Sequence, residues 1–448
     1  MTTRRELLAA TGATTLLAAC ASPAPSMQEL PPIVFVHGNG DSASIWQTLI
    51  WRFESNGWPR DRLHAIDVPL PLARDDDTRA QPGRTSTAEH MAYLKSEVEK
   101  VLARTGARQV VLVGNSRGGN AIRNYIYNGG GMATVSHAIL GGTPNHGVWA
   151  VPLPPLSDNS EFAGHGAFLK ALNAPKNAAG DEVSGPVKWM TIRSDNNDKF
   201  AQPDGLWVGQ RGKATGVTNA GPELKGATNV VIPRIDHRET SFSPAAFEAT
   251  YRFITGRAPA RLDVTPEDRV VLSGKVNGAG TNVGLAGARL EVYAIDPTTG
   301  ERRGDAAYSK VVGEDGAWGP FQAQPGTRYE FAISAPGYAT THVYRSPFPR
   351  SSTVINFRPQ RVPEADRNAP ALAIMDRPRG YLDPARDKMA FDGQTPPPGA
   401  VLGAGVSSSR LKPTGLPRAI VAEFNGERVV GRTWPLAENR VSVLELTY

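Results

Sequence analysis

Short apolar runs alternate with stretches of helical periodicity from residue 33 to residue 255. The runs at 33–36, 63–68, 110–113, 137–140, 189–192 and 229–235 are rich in Val and Ile or bounded by turn residues. Strands buried on both faces of a parallel sheet have this pattern. Between them lie helical stretches at 44–54, 87–104, 118–127 and 244–254. In the second of these, Met91, Leu94, Val98, Val101 and Leu102 recur at helical spacing, and Ser42 is placed to cap the first. The alternation predicts an α/β domain over 32–257, a mostly parallel sheet flanked by helices.

Residues 145–186 break this rhythm. Pro152, Pro154 and Pro155 open the segment, and Phe162, Phe168, Leu169 and Leu172 follow among small and polar residues. A partly apolar insertion of this length predicts a cap or lid over the sheet edge, with Phe162 and Phe168 facing an apolar substrate. From residue 258 the pattern changes to period-two strands separated by Gly and Pro turns, which predicts an all-β, sandwich-like region. The run 284–293, Asp315-Gly316-Ala317-Trp318 and Pro336-Gly337-Tyr338 resemble transthyretin-like or carboxypeptidase-regulatory sandwiches. That resemblance implies one unit over 258–361 and a further β-rich region over 362–448.

Composition adds limits. Hydrophobic residues make up 40% of the 448 positions and charged residues 21%, enough apolar material for a sizeable core. The net charge of +6 is dispersed, with no basic cluster interleaved with aromatics, so a nucleic-acid partner is not expected. The single cysteine, Cys20, rules out an intramolecular disulfide and any multi-cysteine zinc site. No ligand spacing suggests a metal or an organic cofactor. Arg4 and Arg5 precede an apolar stretch too short to span a bilayer, which reads as an export signal over 1–19. Thr3-Arg4-Arg5-Glu6-Leu7-Leu8 resembles a twin-arginine signal, and Leu17-Ala18-Ala19-Cys20 resembles a bacterial lipobox. Those resemblances imply lipidation at Cys20, a tether over 20–31, and an exported, membrane-anchored lipoprotein at the periplasm or cell surface. An ordinary signal peptide with an incidental cysteine, and hence a secreted protein, is the alternative.

The chemistry concentrates at Gly114-Asn115-Ser116-Arg117-Gly118, a G-x-S-x-G after a buried strand and before a helix. A serine hydroxyl attacks only when it is exposed beside a base, and a tight strand-to-helix turn supplies that exposure. Earlier in the chain, Val36-His37-Gly38-Asn39-Gly40 ends a buried strand in a His-Gly turn. The backbone N–H groups of Asn39 and Arg117 are therefore candidates for an oxyanion hole, and His37 is expected to order its loop by hydrogen bonds. Of the eight histidines, His237 follows the last core strand, where the base of such a fold belongs. Asp195, Asp198 and Asp204 all qualify by position as its acid, with Asp198 preferred.

These motifs, with Gly142-Thr143-Pro144-Asn145-His146-Gly147, resemble the class 2 lipases of the α/β-hydrolase superfamily over about residues 32–255. The resemblance implies a serine esterase acting on an ester or lipid substrate, favours Asp198 as the acid, and puts His146 at the pocket wall. The insertion and the elbow neighbours Asn115 and Arg117 depart from the smallest family members. Two alternatives stay open: a depolymerase of polyhydroxyalkanoate-type polyesters, and a non-catalytic surface lipoprotein that uses the hydrolase domain as a scaffold.

Overall fold

The computed structural model describes residues 30–415 and 417–448. Arg4, Arg5 and Cys20, which carry the export and lipidation expectations, lie outside the described residues. The first lobe contains β1 (Ile33–Val36), α1 (Gln47–Ser55), β2 (Leu63–Ile66), a two-residue ladder of β3 (Leu72–Ala73) with β4 (Arg84–Thr85), and α2 (Thr87–Thr105). It continues with β5 (Val110–Asn115), α3 (Arg117–Asn128), β6 (Val135–Gly141), α4 (Ala167–Leu172), β7 (Lys188–Ser194), β8 (Thr228–Ile232), α5 (Glu239–Phe242) and α6 (Pro244–Thr255).

Six strands form one sheet in the order β2-β1-β5-β6-β7-β8, with every pair parallel. The strand order reverses beside β1, so the crevice beyond the carboxyl ends of β1 and β5 is the switch point where ligands bind in open α/β sheets. In register, Val36 lies beside Gly114, which brings the loop after β1 level with the turn after β5. Helices cover both faces and bury Val, Ile and Leu on each side, which accounts for the apolar runs of the central strands β1 and β5.

The caps follow local chemistry in one helix and depart from expectation in another. Ser86 and Glu89 close a reciprocal capping box at the start of α2. Ser42 does not cap α1: its hydroxyl bonds Ser44 Oγ at 2.8 Å, and a 3-10 turn over Ala43–Trp46 leads into the helix.

The second lobe contains β9 (Val270–Lys275), β10 (Arg289–Ala294), β11 (Tyr308–Val311), β12 (Ala317–Ala323), β13 (Tyr329–Ser334) and β14 (Thr340–Arg345). β15 (Ala373–Asp376), β16 (Met389–Phe391), β17 (Ser408–Leu411), β18 (Ala419–Phe424), β19 (Glu427–Arg432) and β20 (Arg440–Glu445) follow. Its main sheet has the order β11-β10-β13-β14-β20-β15-β17. The division expected at residue 361 therefore runs through one sheet. β20 pairs with β14 in parallel along six residues, and Leu372, Ile374, Val441 and Val443 share a core with Leu290, Phe331 and Val343. An edge left open at β14 would expose unpaired backbone groups, and the last strands of the chain cover it.

Candidate active site

β5 ends at Asn115 and α3 begins at Arg117, which leaves Ser116 alone in the turn at φ 54° and ψ −122°. A non-glycine residue held there carries strain of about 1–3 kcal/mol, and such strain collects at functional sites. Close packing enforces the bend. A Cβ on Gly118 would lie 2.2 Å from the Val36 carbonyl oxygen, and one on Gly119 would lie 1.9 Å from Thr143 Oγ1. Ser116 N–H donates to the Gly141 carbonyl at 2.8 Å.

Asn115 ties this turn to the loop that carries His237. Its buried amide donates to Ser241 Oγ at 2.8 Å and to the His237 carbonyl at 3.2 Å. Thr240 Oγ1 donates to the same carbonyl at 2.7 Å. His237 Nδ1 lies 2.8 Å from Asp198 Oδ2, while Asp198 Oδ1 accepts from Phe200 N–H at 2.8 Å. Nε2 of His237 is buried and has no hydrogen-bond partner among the described residues. The Phe200 ring packs edge-on against the imidazole, with centroids 4.6 Å apart.

The other two candidate acids serve their own loops. Asp195 Oδ1 accepts from Arg234 N–H at 2.8 Å and Asn196 N–H at 2.7 Å. Burial pushes the Asp195 carboxyl up, but these backbone donors outweigh it and hold the group below the usual carboxylate range. Asp204 accepts from Leu206 N–H at 3.1 Å.

On the opposite side, Asn39 and Arg117 occupy the two loops level with Ser116, and a Cβ on Gly38 would stand 3.0 Å from Ser116 Cβ. Among the described residues the Asn39 N–H meets no backbone carbonyl, and the first N–H groups of a helix such as α3 lack intrahelical partners. Both side chains are structural. Asn39 Oδ1 accepts from Ala73 N–H at 2.7 Å, and the buried Arg117 guanidinium reaches Glu161 at 2.6 Å, Pro71 O at 3.0 Å and Thr85 O at 2.8 Å.

His37 orders its loop. Nε2 accepts from Val68 N–H at 3.0 Å, so the ring proton sits on Nδ1, which lies 2.9 Å from the Gly38 carbonyl. Burial lowers the His37 pKa and keeps the ring neutral.

The substrate-facing expectations divide. Phe162 joins an apolar cluster of Val148, Trp149, Leu153 and Ala163, which Phe200 and Val208 complete. Phe168 is half-buried on α4 outside that cluster. His146 lines a small cavity with Asp198, Phe200 and Gly142, and its Nε2 is 2.9 Å from Glu182 Oε1.

Sequence reasoning missed three groups. Residues 195–227 pack against the 145–186 insertion, joined to it where Ala150 N–H donates to Thr215 O at 2.7 Å. Lys199, beside Asp198, faces Tyr381 at 4.3 Å, and burial together with nearby Arg238 lowers its pKa to about 8. Asp236, fully buried before His237, pairs with Arg377 of the second lobe at 2.8 Å. The only sequence signal for Asp236 was its position next to the histidine.

Comparison with known proteins adds the following. Residues 30–151 match the family model for lipase (class 2), and residues 268–362 match the lipase C-terminal domain. A Bacillus licheniformis lipase, BlEst2, in its propeptide form shares 21% identity at a TM-score of 0.36, over 62% of this chain and 60% of that one. The mature form of BlEst2 shares 23% at 0.34, over 50% and 92% of the two chains. Aspergillus fumigatus lipase B shares 16% at 0.35, over 52% and 54%.

Proposed function

We propose that the chain is a carboxylic ester hydrolase that works through an acyl-enzyme on Ser116, a reading supported by its matches to the class 2 lipase and lipase C-terminal models. His237 Nε2 takes the hydroxyl proton as Ser116 attacks the ester carbonyl, passes it to the leaving alcohol, and then activates water. Asp198 fixes the Nδ1–H tautomer and stabilises the imidazolium. The N–H groups of Asn39 and Arg117 hold the oxyanion, each contributing about 2.7–4 kcal/mol of transition-state stabilisation.

One observation supports this reading most. Asp198 holds one nitrogen of His237, and the other is left unbonded on a loop tied by Asn115 to a strained serine turn. An apolar acyl part fits the cap cluster that reaches the imidazole through Phe200. Replacing Ser116→Ala should abolish p-nitrophenyl ester hydrolysis and fluorophosphonate labelling while melting behaviour stays the same. Residual turnover above about a thousandth of wild type would refute the assignment. Rates on tributyrin, a long-chain triglyceride and a polyester film then rank the acyl groups and separate lipase from depolymerase.

The lipobox-like Leu17-Ala18-Ala19-Cys20 supports a lipid anchor on an exported protein. Cys20→Ala should move the protein from the membrane to the soluble fraction.

A further inference from the structure

We propose that the second lobe is part of the oxyanion machinery, with Asn282 and Arg358 as positioning residues for the Asn39 amide. This inference rests on the acyl-serine reading above.

Asn282 projects from the turn between β9 and β10 into the first lobe and is 5% exposed. Its Nδ2 lies 2.8 Å from Val68 O, 3.0 Å from Asp41 O and 3.3 Å from His37 Nε2. Its own N–H donates to Pro69 O at 2.8 Å, so backbone and side chain are both engaged across the interface. Arg358 Nη2 donates to Asn282 Oδ1 and, at 3.1 Å, to Asp41 O, while Nη1 donates to Gly40 O at 3.0 Å. Two residues of the second lobe thus hold successive carbonyls, those of Gly40 and Asp41, in the loop that carries Asn39.

These contacts reach the amide through His37. Val68 N–H donates to Nε2 and so places the ring proton on Nδ1, and Nδ1–H holds the Gly38 carbonyl. The Asn282 amide, 3.3 Å from Nε2, donates its two hydrogens to Val68 O and Asp41 O and so holds the residue that donates to the ring. The Gly38 C=O and the Asn39 N–H belong to one planar peptide, so fixing the oxygen fixes the direction of the hydrogen. Without that hold, the Gly38 carbonyl keeps only a long 3.3 Å turn bond from Asp41 N–H among the described residues. An oxyanion donor works only if it is preorganised, and here the preorganisation comes from a different lobe.

The test compares full-length N282A and R358K with R350Q. Arg350 also bridges the lobes, through Glu54 at 3.0 Å and Glu267 at 2.8 Å, but it touches nothing in the oxyanion loop. N282A and R358K should lower kcat about 10–100-fold and leave KM within about threefold. Both should weaken a reversible alkyl boronic acid, which forms a tetrahedral adduct on the serine, by the same factor. R350Q should leave kcat and boronate affinity unchanged. Equal losses in R350Q would overturn the proposal, as would a raised KM with intact kcat or unchanged boronate binding in both positioning variants. If near-UV circular dichroism shows N282A misfolded, R358K, which keeps the cation and shortens its reach, decides the matter. Wild-type protein that resists fluorophosphonate would instead remove the acyl-serine reading.

Discussion

Asp195 and Asp198 are carboxylates three positions apart in one loop, yet their partners give them different roles. Asp195 accepts backbone N–H groups, which an amide oxygen can also do, so D195N should cost about 1 kcal/mol of stability and leave kcat within a few fold. Asp198 faces the imidazole, and an amide there donates to Nδ1 and enforces the wrong tautomer. D198N should therefore lower kcat about 10⁴-fold with little change in melting temperature, measured on the same ester. If the two effects were exchanged, Asp195 would be the acid. The turn that carries Ser116 and the loop position of His237 were legible in the sequence because their signal is local: a strand, a turn and a helix in one window, or a strand end with a histidine. The choice of acid depended on how the loop folds back, which periodicity does not encode. Asp236, next to His237 in the chain, pairs with Arg377 in the other lobe. No window of sequence contains both.

The elements of the first lobe were legible because each core strand contains a short apolar run and each long helix has a periodic face. What escaped was the irregular backbone of the cap. Residues 145–186 announced themselves by prolines and aromatics, whereas 195–227 have neither period nor capping signals and gain their place from contacts with the first segment. Segment 145–186 is fastened to α3 by the buried ion pair of Arg117 with Glu161 and by Arg123, which donates to Leu172 O at 3.1 Å and Asn173 Oδ1 at 2.8 Å. Burial pushes the Glu161 carboxyl up against the pull of Arg117, so the pair is held by packing around it as well as by charge. E161A leaves the guanidinium uncompensated in the interior and should cost about 3–5 kcal/mol. Calorimetry would measure that loss, and limited proteolysis should place new cleavages within 145–186. A variant as stable and as protease-resistant as wild type would show that the cap does not depend on this pair.

At the scale of the whole molecule, the sequence showed a β-rich half and left its purpose open. The structure makes it a partner of the first lobe. Trp51 of α1 is buried in the second lobe's core and donates to Ser351 O at 2.9 Å. Between the lobes lies a cavity of about 270 Å³ lined in part by Asp41, Arg238, Arg358, Asp376 and Glu445. Burial, and then repulsion from Glu445, raise Asp376 from 3.8 to about 7 despite the nearby arginines. The sign of the pH effect follows. Between those two values the folded protein holds a proton on Asp376 that the unfolded chain has released, so this group's contribution to stability falls as pH rises and levels off above 7. Asn at this position never ionises. The melting temperature of D376N relative to wild type should therefore climb from pH 4 to pH 7 and stay flat beyond it. A difference that shrinks with rising pH, or does not change, would mean that Asp376 enters the folded state already ionised and that the arginines around the cavity fully compensate it.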